Sequence, residues 1–151
     1  VWELKNEKIP FPLVVDNAGG YLMQNNKIDM CLVGSDRTTV NGDVCNKIGT
    51  YLKALSAFEN NIPFYVALPT STIDKKLKEI SNIPIEERDK SEISQMNFKY
   101  KNKVLNGRIY PGEVKCYNPA FDVTPSKFVS KLITEKGVIN ANNKEILKIL
   151  K

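Results

Sequence analysis

Three short apolar runs, at residues 11–15, 30–33 and 64–68, are spaced along the first half of the chain with helix-patterned segments between them. That order predicts strand, helix, strand, helix, strand, and hence a Rossmann-like α/β fold: an open parallel sheet flanked by helices. Met30, Cys31, Leu32 and Val33 are apolar at consecutive positions, which predicts a strand covered on both faces. Residues 18–26 predict a short helix closed by Asn25 and Asn26. Over 44–60, Val44, Ile48, Tyr51, Leu52, Leu55 and Phe58 recur at steps of three and four. They predict an amphipathic helix with its N-cap at Gly42-Asp43.

The second half is less regular. Residues 74–113 are rich in lysine and asparagine and read as a long excursion from the sheet. A short strand is expected near 114–117. Phe128, Val129, Leu132 and Ile133 share one face of a predicted helix over 125–136, with Thr124 as N-cap and Gly137 just beyond its end. Residues 145–151 predict a fraying helix. A chain of 151 residues with 42% apolar content can bury one core, so a single domain is expected.

Composition removes several chemistries. There is no histidine, and the cysteines, Cys31, Cys45 and Cys116, have no CxxC spacing. No metal site and no disulfide framework are expected, and a reducing, cytoplasmic setting is (also nuclear if the source is eukaryotic). A histidine base is excluded within these residues. The net charge of +5 is carried by scattered lysines, which predicts a solvated surface and no nucleic-acid partner. The apolar runs are too short to cross a bilayer as helices, so no membrane partner is expected. The start carries neither an initiator methionine nor a signal-peptide pattern, and Val1-Trp2-Glu3-Leu4 reads as the middle of something longer.

Polar clusters follow the predicted strands: Asp16-Asn17, Ser35-Asp36-Arg37, Thr70-Ser71-Thr72 and residues 118–122. Any strand needs a polar turn after it, but four such clusters on one rim point to a site at the carboxyl ends of the strands. Asp36 would stand at the mouth of that crevice, where partial desolvation suits a carboxyl group to proton donation; a salt bridge to Arg37, or a cap, is the plainer role. Asn46 and Lys47 would lie in the first turn of the 44–60 helix. Unpaired amides and the positive helix end favour an anion there, so a small phosphorylated ligand is expected, against the plainer view of Lys47 as a surface lysine. Neither GxGxxG nor GxxxxGK[ST] occurs, so no dinucleotide or nucleoside triphosphate is indicated. Cys45 sits at the same helix start, where a thiol pKa can fall, yet a small buried junction residue explains it better. Cys31 is expected in the core.

The motifs GSDRTTVNGDVCNKIGT (34–50), PFYVALPTSTID (63–74), IPIEERD (83–89), NPAFDVTP (118–125) and ITEKGVI (133–139), in this order and spacing, resemble the methylthioribose-1-phosphate isomerase family. The likeness runs from near Trp2 to Val138. The wider family includes ribose-1,5-bisphosphate isomerase and the regulatory subunits of the initiation-factor guanine nucleotide exchange factor. GSDR with NGD, and IPIEERD, point to the isomerase branch; a non-catalytic regulatory subunit, or a ribose-1,5-bisphosphate isomerase, is the alternative. The resemblance implies an aldose–ketose isomerase of methionine salvage that needs no cofactor. It makes Asp36 the catalytic acid and Asn46 and Lys47 the binders of a sugar phosphate. It also implies a homodimer. The family's other catalytic residue is a cysteine in a more N-terminal segment, and that role does not transfer to Cys45. The chain is therefore expected to be the C-terminal catalytic domain (1–151), working with an N-terminal half and inactive alone. Residues 75–110 are longer and richer in lysine than the family pattern.

Overall fold

The computed structural model describes residues 1–77 and 83–151. Two short helices come first, α1 (Trp2–Asn6) and α2 (Ala18–Gln24). Then follow β1 (Cys31–Val33), β2 (Arg37–Thr39), β3 (Val44–Lys47), α3 (Thr50–Glu59), β4 (Phe64–Ala67) and β5 (Ile73–Asp74). The second half contains α4 (Ser91–Ser94), β6 (Gln95–Tyr100), β7 (Lys103–Arg108), β8 (Phe121–Thr124), β9 (Lys131–Thr134), β10 (Gly137–Ile139) and α5 (Asn143–Ile149).

The α/β class expected from the sequence holds, with more antiparallel pairing than expected. One sheet has the order β1-β4-β9-β10, parallel through its first three strands and antiparallel at its β10 edge. A second sheet, β5-β2-β3-β8, is mixed, and β6 and β7 form a hairpin of their own. The core brings together Val44, Ala54, Ala57, Phe64, Val66, Leu132 and Ile146, each at most 1% exposed. Burying a side chain of the Val, Leu, Ile or Phe kind contributes about 1.5–3 kcal/mol, so these positions hold the two sheets and α3 together.

Several expectations are corrected. Residues 11–15 form no strand: Leu13, Val14 and Val15 are all exposed and have no ladder partner among the described residues. Leu32 is 61% exposed while Cys31 and Val33 are half-buried, so β1 is not covered on both faces. The helix expected over 44–60 begins only at Thr50, because Asn41-Gly42 turns the chain into an antiparallel hairpin and Val44–Lys47 pair as a strand. Gly42 makes that turn at φ 93°, with the Ala141 carbonyl so close that a Cβ would stand 2.5 Å from it. The helix also buries the other face: Thr50, Ala54 and Ala57 point inward, while Ile48, Leu52, Leu55 and Phe58 stay exposed. Small residues there let α3 approach the sheet closely.

Residues 114–117 form no strand; only Glu87 and Pro119 make an isolated bridge nearby. The helix expected over 125–136 is a single 3₁₀ turn followed by β9, because a central strand of buried Leu132 and neighbouring apolar residues fits the helical period equally well. Thr124 accordingly ends β8 instead of capping a helix. The last helix does not fray. The Asn142 side chain caps it by accepting the Glu145 N–H, Ile146 is fully buried, and Lys136 and Lys75 donate to the carbonyls of Ile149 and Leu150. Of the excursion expected over 74–113, residues 78–82 lie outside the described residues; the remainder carries α4 and the β6–β7 hairpin.

Candidate functional site

Asp36 follows β1, and its backbone N–H donates to the Cys45 carbonyl at 3.0 Å. That bond ties Asp36 to the residue just before Asn46 and Lys47, so all three family positions meet at one end of the β2–β3 hairpin. Asp36 and Lys47 are exposed and Asn46 is half-buried. The burial on which the proton-donor argument leaned is therefore not supplied by these residues alone.

Asn46 and Lys47 belong to β3 and not to a helical turn, which corrects their expected setting. They are opposite Asp122 and Phe121 of β8. Asn46 donates through Nδ2 to Thr50 Oγ1 at 3.1 Å, and Thr50 Oγ1 donates to the Lys47 carbonyl at 2.7 Å. The Lys47 ammonium stands 4.9 Å from the centre of the Phe121 ring. A cation held over a ring face while still exposed can receive an anion without first breaking an ion pair.

The start of α3 is not an open anion site. The Asp122 carboxylate already fills it, accepting from the Gly49 N–H at 2.7 Å and the Tyr51 N–H at 3.0 Å. Gly49 reaches this geometry with φ 96°, in the left-handed region that favours glycine. Asp122 is a residue that sequence reasoning placed on the rim without a role, and the structure gives it two backbone partners. NPAFDVTP marked it, but its partners lie more than 70 positions away.

The β8 entry is braced in turn by IPIEERD. The Ala120 N–H donates to the Glu86 carbonyl at 2.8 Å, and the Arg88 N–H to the Asn118 carbonyl at 2.9 Å. The Asn118 N–H bonds a Glu87 carboxylate oxygen. The Ile48 N–H then donates to the Ala120 carbonyl at 3.0 Å, so two distant motifs converge on the turn after Lys47.

The rim is partly realised. Asp16, Asn17 and Asp122 line one open cleft of about 600 Å³ with Gly49, Leu52 and Lys53, and Asp16 faces the Lys53 ammonium at 3.9 Å. The loop after β4 is engaged elsewhere: the Thr70 N–H and hydroxyl both donate to Glu135, which holds that carboxyl below its ordinary range. The Asn-Gly-Asp stretch is structural. Asp43 accepts from the Ser126 N–H at 2.9 Å, and Asn143 donates to Asn41 Oδ1 at 3.3 Å.

Burial pushes the Cys45 thiol above its ordinary value, Asp36 and Asp122 push it further and Arg37 opposes them. A buried thiol kept protonated is a poor nucleophile, which agrees with its sequence assignment. Cys31 is raised by burial too, with Lys53 opposing, and packs against the core as expected.

Residues 1–141 match the initiation factor 2 subunit family. The chain is 52% identical over 139 residues to a methylthioribose-1-phosphate isomerase of Brucella anthropi, covering 91% of this chain and 38% of that protein. It is 52% identical over 143 residues to the protein of the same name from Sinorhizobium medicae, covering 93% and 39%. Among solved structures, the 5-methylthioribose 1-phosphate isomerase of Pyrococcus horikoshii superposes with a TM-score of 0.86 at 41% identity, over 99% of this chain and 39% of that one. The translation initiation factor eIF-2B subunit delta of A. fulgidus gives 0.82 at 40% identity, over 97% and 42%. The chain thus spans about two fifths of the length of the relatives it matches, in their C-terminal part.

Proposed function

The chain belongs to the initiation factor 2 subunit family, and on that premise we propose that residues 1–151 form the C-terminal catalytic domain of an aldose–ketose isomerase. Its substrate is 5-methylthioribose 1-phosphate and its product 5-methylthioribulose 1-phosphate. The observation that carries this reading is the meeting of Asp36, Asn46 and Lys47 at one end of the β2–β3 hairpin, inside the motif on which the resemblance to the isomerases rests.

A furanose phosphorylated at C1 cannot open its ring as a free aldose does. Asp36 acts as an acid on the ring oxygen or a hydroxyl, and Asn46 and Lys47 hold the sugar phosphate through amide donors and a positive charge. The relatives are longer on the N-terminal side, and in this reading an N-terminal half completes the site. We propose a homodimer as well. Exposed Met96, Phe98, Tyr100 and Val104 on the 74–113 excursion support it, and a monomer in sedimentation at high concentration overturns it. The free thiols of Cys31, Cys45 and Cys116 support a cytoplasmic setting.

The test is turnover by the full-length protein. Asp36→Asn keeps size and hydrogen bonding but cannot act as an acid, so kcat is expected to fall roughly 100- to 10,000-fold. Lys47→Ala is expected to raise KM with little change in kcat, because its anionic partner is present in ground and transition states alike. Near-normal turnover in Asp36→Asn removes the catalytic assignment. The likeness to the eIF-2B subunit favours a second reading, a non-catalytic subunit. A wild-type protein that binds sugar phosphate without isomerising it supports that reading instead.

A further inference from the structure

We propose that Asp122 is a positioning residue that sets the affinity of the site for its phosphorylated substrate, an inference that rests on the isomerase reading and deepens it. The amides at the start of a helix attract an anion. Here the chain supplies that anion itself, through both oxygens of Asp122, to Gly49 and Tyr51. The substrate phosphate therefore does not sit on the helix end and depends on side chains, Lys47 first among them.

The carboxylate locks the short link between β3 and α3 from one side. Its own strand locks it from the other, where Asn46 pairs with Asp122 and Lys47 with Phe121. Thr50, at the start of α3, bonds both the Asn46 side chain and the Lys47 carbonyl, so any shift of the link moves both substrate-binding residues. Asp36 is held one residue upstream of that pair, by its amide on the carbonyl of Cys45, which is fixed in the strand ladder between Arg37 and Val123 and does not belong to the link. Loosening Asp122 misplaces the anion-binding pair and leaves the acid where it is. Binding and chemistry should therefore separate.

In the full-length protein, Asp122→Ala is expected to raise KM about tenfold or more, since charge-assisted hydrogen bonds are lost, with kcat within roughly twofold of wild type. Asp122→Asn keeps one oxygen acceptor and should recover part of the affinity, with KM roughly threefold above wild type. A purely structural role predicts a different pattern, with lower thermal stability and no split between KM and kcat. Unchanged KM in Asp122→Ala, or kcat and KM altered to the same degree, overturns the proposal. Calorimetric titration with ribose 1-phosphate reads the same order, wild type tighter than Asn tighter than Ala, without turnover. If wild type fails to isomerise but the titration keeps that order, the isomerase reading fails and the positioning role stands. Equal binding by all three, or none by wild type, overturns the positioning role itself.

Discussion

The chain contains two antiparallel hairpins of similar local build and opposite surroundings. In the β2–β3 hairpin, Thr38, Thr39, Val40, Val44 and Cys45 are all buried, with β5 on one flank and β8 on the other. In the β6–β7 hairpin every residue of both strands is exposed except half-buried Gly107, and among the described residues no third strand joins it. One face of the second hairpin is even the more apolar, with Met96, Phe98, Tyr100 and Leu105 together. Alternation and a tight turn are enough to make a hairpin, but neighbours give it a fixed place. An isolated pair of strands is marginal in water. The family residues stand on the hairpin that is held.

Adding one methyl to each hairpin should give the largest contrast. In Gly42→Ala the new Cβ meets the Ala141 carbonyl at 2.5 Å on a backbone at φ 93°, and both penalties apply, for a loss of about 2–5 kcal/mol. In Gly107→Ala the neighbour is the edge of the Phe98 ring at 3.1 Å, which can move, so the loss should stay below about 1 kcal/mol. Chemical denaturation of both variants reads the difference. Equal losses would mean that the second hairpin is as firmly held as the first. Removing apolar bulk should come next: Val44→Ala should cost about 2–3 kcal/mol and Val104→Ala within about 0.5 kcal/mol.

Acid sharpens the comparison further. Glu145 accepts from the Asn140 N–H and side-chain amide beside the Gly42 turn, and these bonds hold its carboxyl below the ordinary range. Asp89, in the excursion, is held low by Ser91. A carboxyl depressed in the folded state binds fewer protons there than when unfolded. Its stabilisation is complete above the unfolded value, about 4.3 for Glu, and is lost as pH falls through the folded one. Glu145→Gln should flatten the fall of Tm below about pH 4, and Asp89→Asn should leave it unaltered, because its segment lies outside the main core. The smallest effect is kinetic. Brief trypsin treatment should cut first at Lys101 or Lys103, on the exposed tip, with little change in the Tm of the remainder.

What the sequence made legible follows the same division. β1 and β4 were readable because their apolar runs are short and bounded by turns, and α2 because Asn25-Asn26 closes it. The reading failed where one pattern fits two periods. Val44 and Ile48 look helical until Asn41-Gly42 is read as a hairpin signal, and Phe128 to Ile133 serve as well for a strand. It failed again at Leu13, Val14 and Val15, where apolar residues have no ladder partner among the described residues. Asp36, Asn46 and Lys47 were legible as a motif. The Asp122 carboxylate that braces the link after Asn46 and Lys47 was not, because the Gly49 and Tyr51 amides are joined to it only by the fold.

The β6–β7 hairpin leaves and rejoins the chain at one point: Gln95 pairs with Arg108, and the Ile109 N–H returns to the Ser94 carbonyl at 3.1 Å. Material can therefore be spliced in or removed at its tip while the chain ends that flank it stay in register. For a protein engineer this is an attachment port. A fluorophore, an affinity peptide or a surface linker placed between Lys101 and Lys103 sits on a sheet separate from the one that carries Asn46 and Lys47, which leaves turnover itself free to be watched on an immobilised molecule.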